Sequence, residues 1–176
     1  EAPATLPRIE GSPSGVGGLH IAAGDIDGDG FDEIIALPTA MQGDDVMGPL
    51  LQKGKEKWIE VLGWDWNKAG VTVAMGDLDG DGRADLVAGS PRGEAPVIKW
   101  YSLSSVPGTT GFMADHKGEI EIYSYGANFR GGVNVAAGDV NGDGFADIVY
   151  APGAIPEPTT ILSLLTGLGT WLFAGR

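Results

Sequence analysis

Apolar residues in this chain come in short runs. EIIAL (33–37), DLVAG (85–89) and DIVYA (147–151) are each about five residues long and rich in Ile and Val, which is strand length rather than helix length. Further strand candidates are WIEVLGW (58–64), PVIKWYSL (96–103) and EIEIYSY (119–125). In the last, Ile120, Ile122 and Ser124 alternate with Glu121, Tyr123 and Tyr125, the period of a half-buried strand. Stretches dense in Gly and Pro, GSPRGEAP (89–96) and SSVPGTTG (104–111), separate these runs. The pattern predicts an all-β fold. One run breaks the rule: residues 159–175 carry no charge at all.

The runs belong to internal repeats. Residues 21–36 read IAAGDIDGDGFDEIIA, residues 73–88 read VAMGDLDGDGRADLVA, and residues 135–150 read VAAGDVNGDGFADIVY. Counted from Asp25, Asp77 and Asp139, the periods are 52 and 62 residues, which points to stacked or radial supersecondary units. In each copy an apolar run enters, a Gly- and Asp-rich loop turns, and a second apolar run leaves.

The loops carry the candidate chemistry. With Asp25 as position 1, the loop at 25–33 has Asp25, Asp27 and Asp29 at positions 1, 3 and 5, Gly30 at 6 and Glu33 at 9. The loop at 77–85 has Asp77, Asp79, Asp81, Gly82 and Asp85 at those positions, and the loop at 139–147 has Asp139, Asn141, Asp143, Gly144 and Asp147. Oxygen ligands at alternate positions, with glycine permitting the sharp turn, suit a hard cation such as Ca²⁺ better than Mg²⁺, which keeps its waters. Position 7 would contribute its backbone carbonyl, so Phe31, Arg83 and Phe145 can differ there. An EF-hand would need a bidentate Glu at position 12 and a following helix. Position 12 is Ala36, Ala88 and Tyr150, and β-formers follow, so the EF-hand and dockerin readings fail. Asp-Gly also makes hairpin turns for conformational reasons alone. Three copies with a side-chain oxygen at 1, 3, 5 and 9 favour about three bound calcium ions.

Charge and composition narrow the function. The formal net charge is −13, which argues against nucleic acid or anionic lipid as a direct partner. Three divalent ions would offset nearly half of it, so folding is expected to depend on calcium. The absence of cysteine removes disulfides and thiolate zinc sites. His20 and His116 are the only histidines, lie far apart, and sit in no nucleophile, metalloprotease or nucleotide-binding motif. The chain is therefore expected not to be an enzyme. Trp64, Trp66, Trp100 and Tyr101 could line a carbohydrate face, but such rings more often fill a core.

The loop pattern, Asp-x-Asp/Asn-x-Asp/Asn-Gly-x-x-Asp/Glu, resembles that of the FG-GAP/VCBS repeats of integrin-α-type β-propellers. ANFRGGVNVAAGDVNGDGFADIVYAPG (127–153) and DLVAGSPRGEAPVIKWYSL (85–103) are similar to the family's phrases around the loop. The resemblance covers residues 15–153 and implies four-stranded blades, each with a calcium in a loop between two strands. A propeller closes with typically four to eight blades, so three repeats make a partial propeller. The missing blades are expected upstream in a longer chain, favoured because the chain starts at Glu1, or in another chain. Residues 1–14 would be a linker or the end of a preceding blade, and residues 37–57 a divergent loop with a Lys-rich tip.

Residues 154–176 form the third part. Pro156, Glu157 and Pro158, then the apolar run Ile161–Ala174, then Arg176, resemble the PEP-CTERM sorting signal. As a helix, residues 159–175 would span about 25 Å at 1.5 Å per residue, short of the roughly 20 residues a bilayer crossing wants. This resemblance implies export in a bacterium with a Gram-negative-type envelope, transient membrane anchoring by a C-terminal hydrophobic helix, and recognition by sorting machinery. The combined expectation is an exported, calcium-binding propeller module at the cell surface or in the extracellular matrix, associating with polysaccharide or a surface protein. The alternative is an accessory propeller of a secreted polysaccharide- or ester-cleaving enzyme with an upstream catalytic domain.

Overall fold

The computed structural model describes residues 18–39, 48–53, 59–66, 68–109, 111–122, 126 and 128–153. The expected linker (1–14), the Lys-rich tip beyond Lys53 and the sorting tail with its helix lie outside the described residues. Among the described residues there are ten strands and no helix. The first four, β1 (Leu19–Gly24), β2 (Glu33–Pro38), β3 (Leu50–Gln52) and β4 (Ile59–Leu62), form one antiparallel meander. The next four, β5 (Thr72–Gly76), β6 (Asp85–Gly89), β7 (Val97–Ser105) and β8 (Phe112–Glu121), form a second. Their outer strands join in parallel, Val61 opposite Phe112 and Leu62 opposite Met113. Finally β9 (Val133–Gly138) and β10 (Asp147–Pro152) pair as the start of a third unit.

The entering and leaving runs of each repeat are thus adjacent strands, with the acidic loop between them. Two readings need correction. The segment 37–57 is not simply a divergent loop: Leu50–Gln52 forms β3, the third strand of the first meander. Strand β8 starts at Phe112 rather than Glu119; of the alternation read from EIEIYSY, Ile120 is exposed while Ile122, just past the strand, is buried in the core, and residues 123–125 lie outside the described residues.

The core lies between the meanders rather than within one. Ile26, Ile35, Leu51 and Val61 of the first meander pack with Val73, Leu86, Tyr101 and Phe112 of the second. The opposite-facing residues of the second, Ala74, Val87 and Ile98, pack against Val133 of the third, with Val135, Ala137 and Ile148 alongside. The second meander is covered on both faces, which is why all five residues of β6 are buried and why DLVAG has no polar alternation. Val149 and Tyr150, the counterparts of fully buried Val87 and Ala88, are about half exposed. Among the described residues no third strand pairs with β10.

Trp64 and Tyr101 belong to this core, and Trp66 and Trp100 pack against it. Tyr101 is fully buried and stacks on Trp64 with ring centroids 4.9 Å apart. Trp100 lies across Gly118, where an added methyl would come within 2.4 Å of its ring. Trp66 carries the Lys99 ammonium 5.3 Å from its ring centroid. These rings do not form an open sugar platform. The Tyr101 hydroxyl donates to Asp65 Oδ1 at 2.5 Å, and Lys99 donates to the other oxygen at 3.1 Å. Tyr101→Phe is expected to cost about 1–2 kcal/mol, read from the urea midpoint, because the lost bond has a charged acceptor.

Candidate metal centres

Each acidic loop is built on its first carboxylate. Asp25 accepts from the backbone N–H groups of Gly28 (2.7 Å), Asp29 (3.1 Å) and Gly30 (2.8 Å). Asp77 accepts from Gly80 (2.7 Å) and Gly82 (2.9 Å), and Asp139 from Gly142 (2.6 Å), Asp143 (3.2 Å) and Gly144 (2.9 Å). To aim those amides inward the chain turns left-handed at positions 4 and 6, with φ of +77° and +87° in the first loop and similar values in the others. Glycine adopts this conformation without a Cβ penalty. Sequence reasoning assigned a role to the glycine at position 6 and missed the one at position 4.

The closing acid does the same work in all three loops. Glu33 Oε2 accepts from Ile26 N at 3.1 Å, Asp85 Oδ2 from Leu78 N at 3.2 Å, and Asp147 Oδ2 from Val140 N at 3.1 Å. At position 5, Asp29, Asp81 and Asp143 each accept from the amide of position 7 at 2.9 Å. Asp25, Asp27 and Asp29 bring carboxylate oxygens within 4.8 Å of one another, and so do Asp77, Asp79 and Asp85. In the third loop Asn141 Nδ2 faces Asp147 Oδ1 at 3.4 Å.

These donor sets fit a cation. Glu33 is only 1% exposed, yet its Oε1 has no hydrogen-bond partner, and neither does the buried Asp27 Oδ1. Two buried carboxylate oxygens without donors are costly unless a positive charge sits among them. Burial raises the Glu33 and Asp85 carboxyls above the usual range, with neighbouring carboxylates adding to it. Asp139 is lowered, chiefly by the loop amides that bind it.

In the first loop a protein cation reaches the cluster. Lys53, just beyond β3, donates to Asp27 Oδ2, lies 2.7 Å from Asp29 Oδ2 and 4.0 Å from Glu33 Oε1. These contacts with Asp27 and Asp29 raise the lysine above its usual range. In the second loop Ser102 Oγ donates to Asp85 Oδ1 at 2.8 Å.

Residues 77–150, which include the second and third loops, match the family model of the FG-GAP-like repeat. The chain carries an FG-GAP-like repeat. It is also similar to integrin alpha pat-2 of Caenorhabditis elegans, 30% identical over 155 residues, covering 75% of this chain and 12% of that protein. The integrin alpha pat-2 of Caenorhabditis briggsae is 29% identical over the same coverage. The chain therefore spans only a small part of the length of these relatives. No solved structure matches it significantly.

Successive acidic loops are chained together. Ala84 N donates to the Asp25 carbonyl and Ala146 N to the Asp77 carbonyl, both at 2.7 Å. Beside these bonds the preceding strand ends on glycine: a methyl at Gly24 would sit 2.7 Å from Ala84 Cβ, and one at Gly76 2.7 Å from Ala146 Cβ. Position 7 also reaches back. The Phe145 ring lies on Gly80 and the Arg83 side chain near Gly28, while Phe31 is 76% exposed. Position 7 therefore offers more than a carbonyl ligand in the second and third loops, where its side chain packs against the preceding repeat. Phe145→Ala is expected to cost about 1–2 kcal/mol in thermal unfolding, less than a core aromatic because the ring is half exposed.

The far ends of the inner strands, opposite the loops, bound a polar cleft of about 390 Å³ lined in part by His20, Thr39, Ser90, Arg92 and Asn134. Burial lowers the His20 pKa. His116 is on the other histidine-bearing strand, β8, tilted against Tyr101.

Proposed function

We propose that this chain is part of an exported, non-enzymatic β-propeller module of the adhesion type, stabilised by calcium in its FG-GAP-like loops. The observation that carries the calcium reading is that Asp27 and the buried Glu33 each keep a carboxylate oxygen without a hydrogen bond although both lie beside the same Lys53 ammonium. Asp25, Asp27, Asp29 and Glu33 would hold the ion in the first loop, with the Phe31 carbonyl. Asp77, Asp79, Asp81 and Asp85 would do so in the second, with the Arg83 carbonyl. Asp139, Asn141, Asp143 and Asp147 would do so in the third, with the Phe145 carbonyl. A bound divalent ion supplies the positive charge that lets these carboxylates sit together. The chain's own amides orient them beforehand.

The adhesion role is supported by the likeness of the repeats to an integrin alpha chain and by packing in which the second meander is covered on both faces. Further blades, upstream or from another chain, complete the ring beyond β10. The module works at the cell surface or in the extracellular matrix, where polysaccharide or a surface protein is its partner. Pro156, Glu157 and Pro158 address it there through sorting machinery.

Equilibrium dialysis of the folded chain against calcium, followed by metal analysis, tests the calcium reading. Two or more ions per chain are expected; none bound would overturn it.

A further inference from the structure

We propose that Lys53 is a built-in competitor for the first loop: its ammonium occupies the cation position of that loop, so calcium enters there only by displacing it. This rests on the calcium reading of the loops and concerns how one of them is tuned.

The repeat register shows what Lys53 replaces. Gln52 pairs with Ile34 in the first meander, and Tyr101 pairs with Leu86 in the second, at the same place in the repeat. One residue further on stand Lys53 and Ser102. Both address the closing acid: Ser102 Oγ bonds Asp85 at 2.8 Å, and Lys53 Nζ lies 4.0 Å from Glu33. The serine brings no positive charge to the closing acid of the second loop, where Lys117 acts on Asp79 and Asp85 only from a distance. The lysine brings one positive charge into a cluster of four carboxylates and contacts two of them, Asp27 and Asp29.

Its fit is partial. A single ammonium has three donors, and Asp27 Oδ1 and Glu33 Oε1 remain without a hydrogen bond around it. A divalent ion with six to eight oxygen ligands engages more of these atoms, so calcium at high concentration displaces the lysine. The ammonium keeps the loop neutralised in part before calcium arrives. The apparent affinity of a site falls in proportion to the fraction of time it is open. If the lysine is bound nine-tenths of the time, the first site is about tenfold weaker than it would otherwise be. The second and third loops have no lysine or arginine in ion-pair contact among the described residues.

Isothermal titration of the full chain with calcium, on the wild type, Lys53→Ser and Lys53→Met, tests this. The wild type should show two tight sites and one weaker. Both variants should tighten the weak site by about tenfold or more, and adding Asp27→Ala to Lys53→Ser should abolish that gain. Melting in chelator gives a second readout: both variants should melt lower than the wild type without metal and respond more to calcium. Three equal sites in the wild type, unchanged in both variants, would overturn the competitor role and leave the calcium reading intact. No calcium bound by any of these folded proteins would overturn both. Should Lys53→Ser not fold without metal, the Lys53→Met titration, run backwards by adding chelator to the calcium-loaded protein, decides the matter.

Discussion

Replacing Gly76 by valine should remove about 3 kcal/mol or more of stability and separate the second and third repeats. Even a methyl group there would stand 2.7 Å from Ala146 Cβ, closer than real carbon contacts allow, and 3.1 Å from Ala137 Cβ, tighter than most. Both neighbours belong to the next repeat, and Ala146 is fixed by its hydrogen bond to the Asp77 carbonyl. Neither side can yield without losing that bond. Overpacking by a few carbons costs typically 1–3 kcal/mol and sometimes more, against a total stability of about 5–15 kcal/mol for a domain. Gly138 holds the same place in the third repeat and has nothing within 4 Å. Gly138→Val in this chain should therefore be nearly neutral. Urea unfolding of the two variants measures the difference; equal losses would mean that the glycines matter for their backbones and not for the contact.

Asp77→Ala should be among the more damaging single changes in a loop, as the first carboxylate is what each loop is built on. It removes both oxygens that accept from Gly80 and Gly82, so about 1–3 kcal/mol should be lost even in chelator. In calcium the variant should also forgo the linkage from one site, about 2.7 kcal/mol when calcium is 100-fold above the dissociation constant. Asp77→Asn separates the two effects. It keeps one of the two acceptors, sets an amide NH2 against the other loop N–H and loses the charge, so its metal-free melting point should fall less than that of the alanine variant while bound calcium falls by one. An Asn variant that retains full calcium binding would remove Asp77 from the ligand set.

The loops and the strands on either side of them could be read from sequence because their causes are local. Asp at alternate positions, glycine at the turn and an apolar run on each side determine β1–β2, β5–β6 and β9–β10 together. Strand β3 could not be read, because Leu50–Gln52 is only three residues long and too short to show an alternation of its own. It is a strand only because β2 lies beside it with unpaired backbone groups. The role of Lys53 was hidden for the same reason: 20 residues separate it from Glu33, and only the β2–β3 register brings it to the loop. Ala84 and Ala146 gave no signal either, since alanine looks indifferent until its neighbour across the repeat is seen to be glycine. Tyr101 and the tryptophans admitted two readings in sequence, and packing between the first and second meanders accounts for Tyr101 and Trp64.

As proposed above, the three acidic loops are calcium sites on which the fold depends. Thermal unfolding of the chain in saturating calcium and in chelator tests it most directly. Two tight sites, each held about 100-fold above its dissociation constant, contribute roughly 5 kcal/mol, which for a chain of this size corresponds to a rise in Tm of about 10–20 °C. That rise is the expected result. Coincident melting curves, in a chain folded under both conditions, would contradict the account and leave the loops as acidic turns held by their own amides.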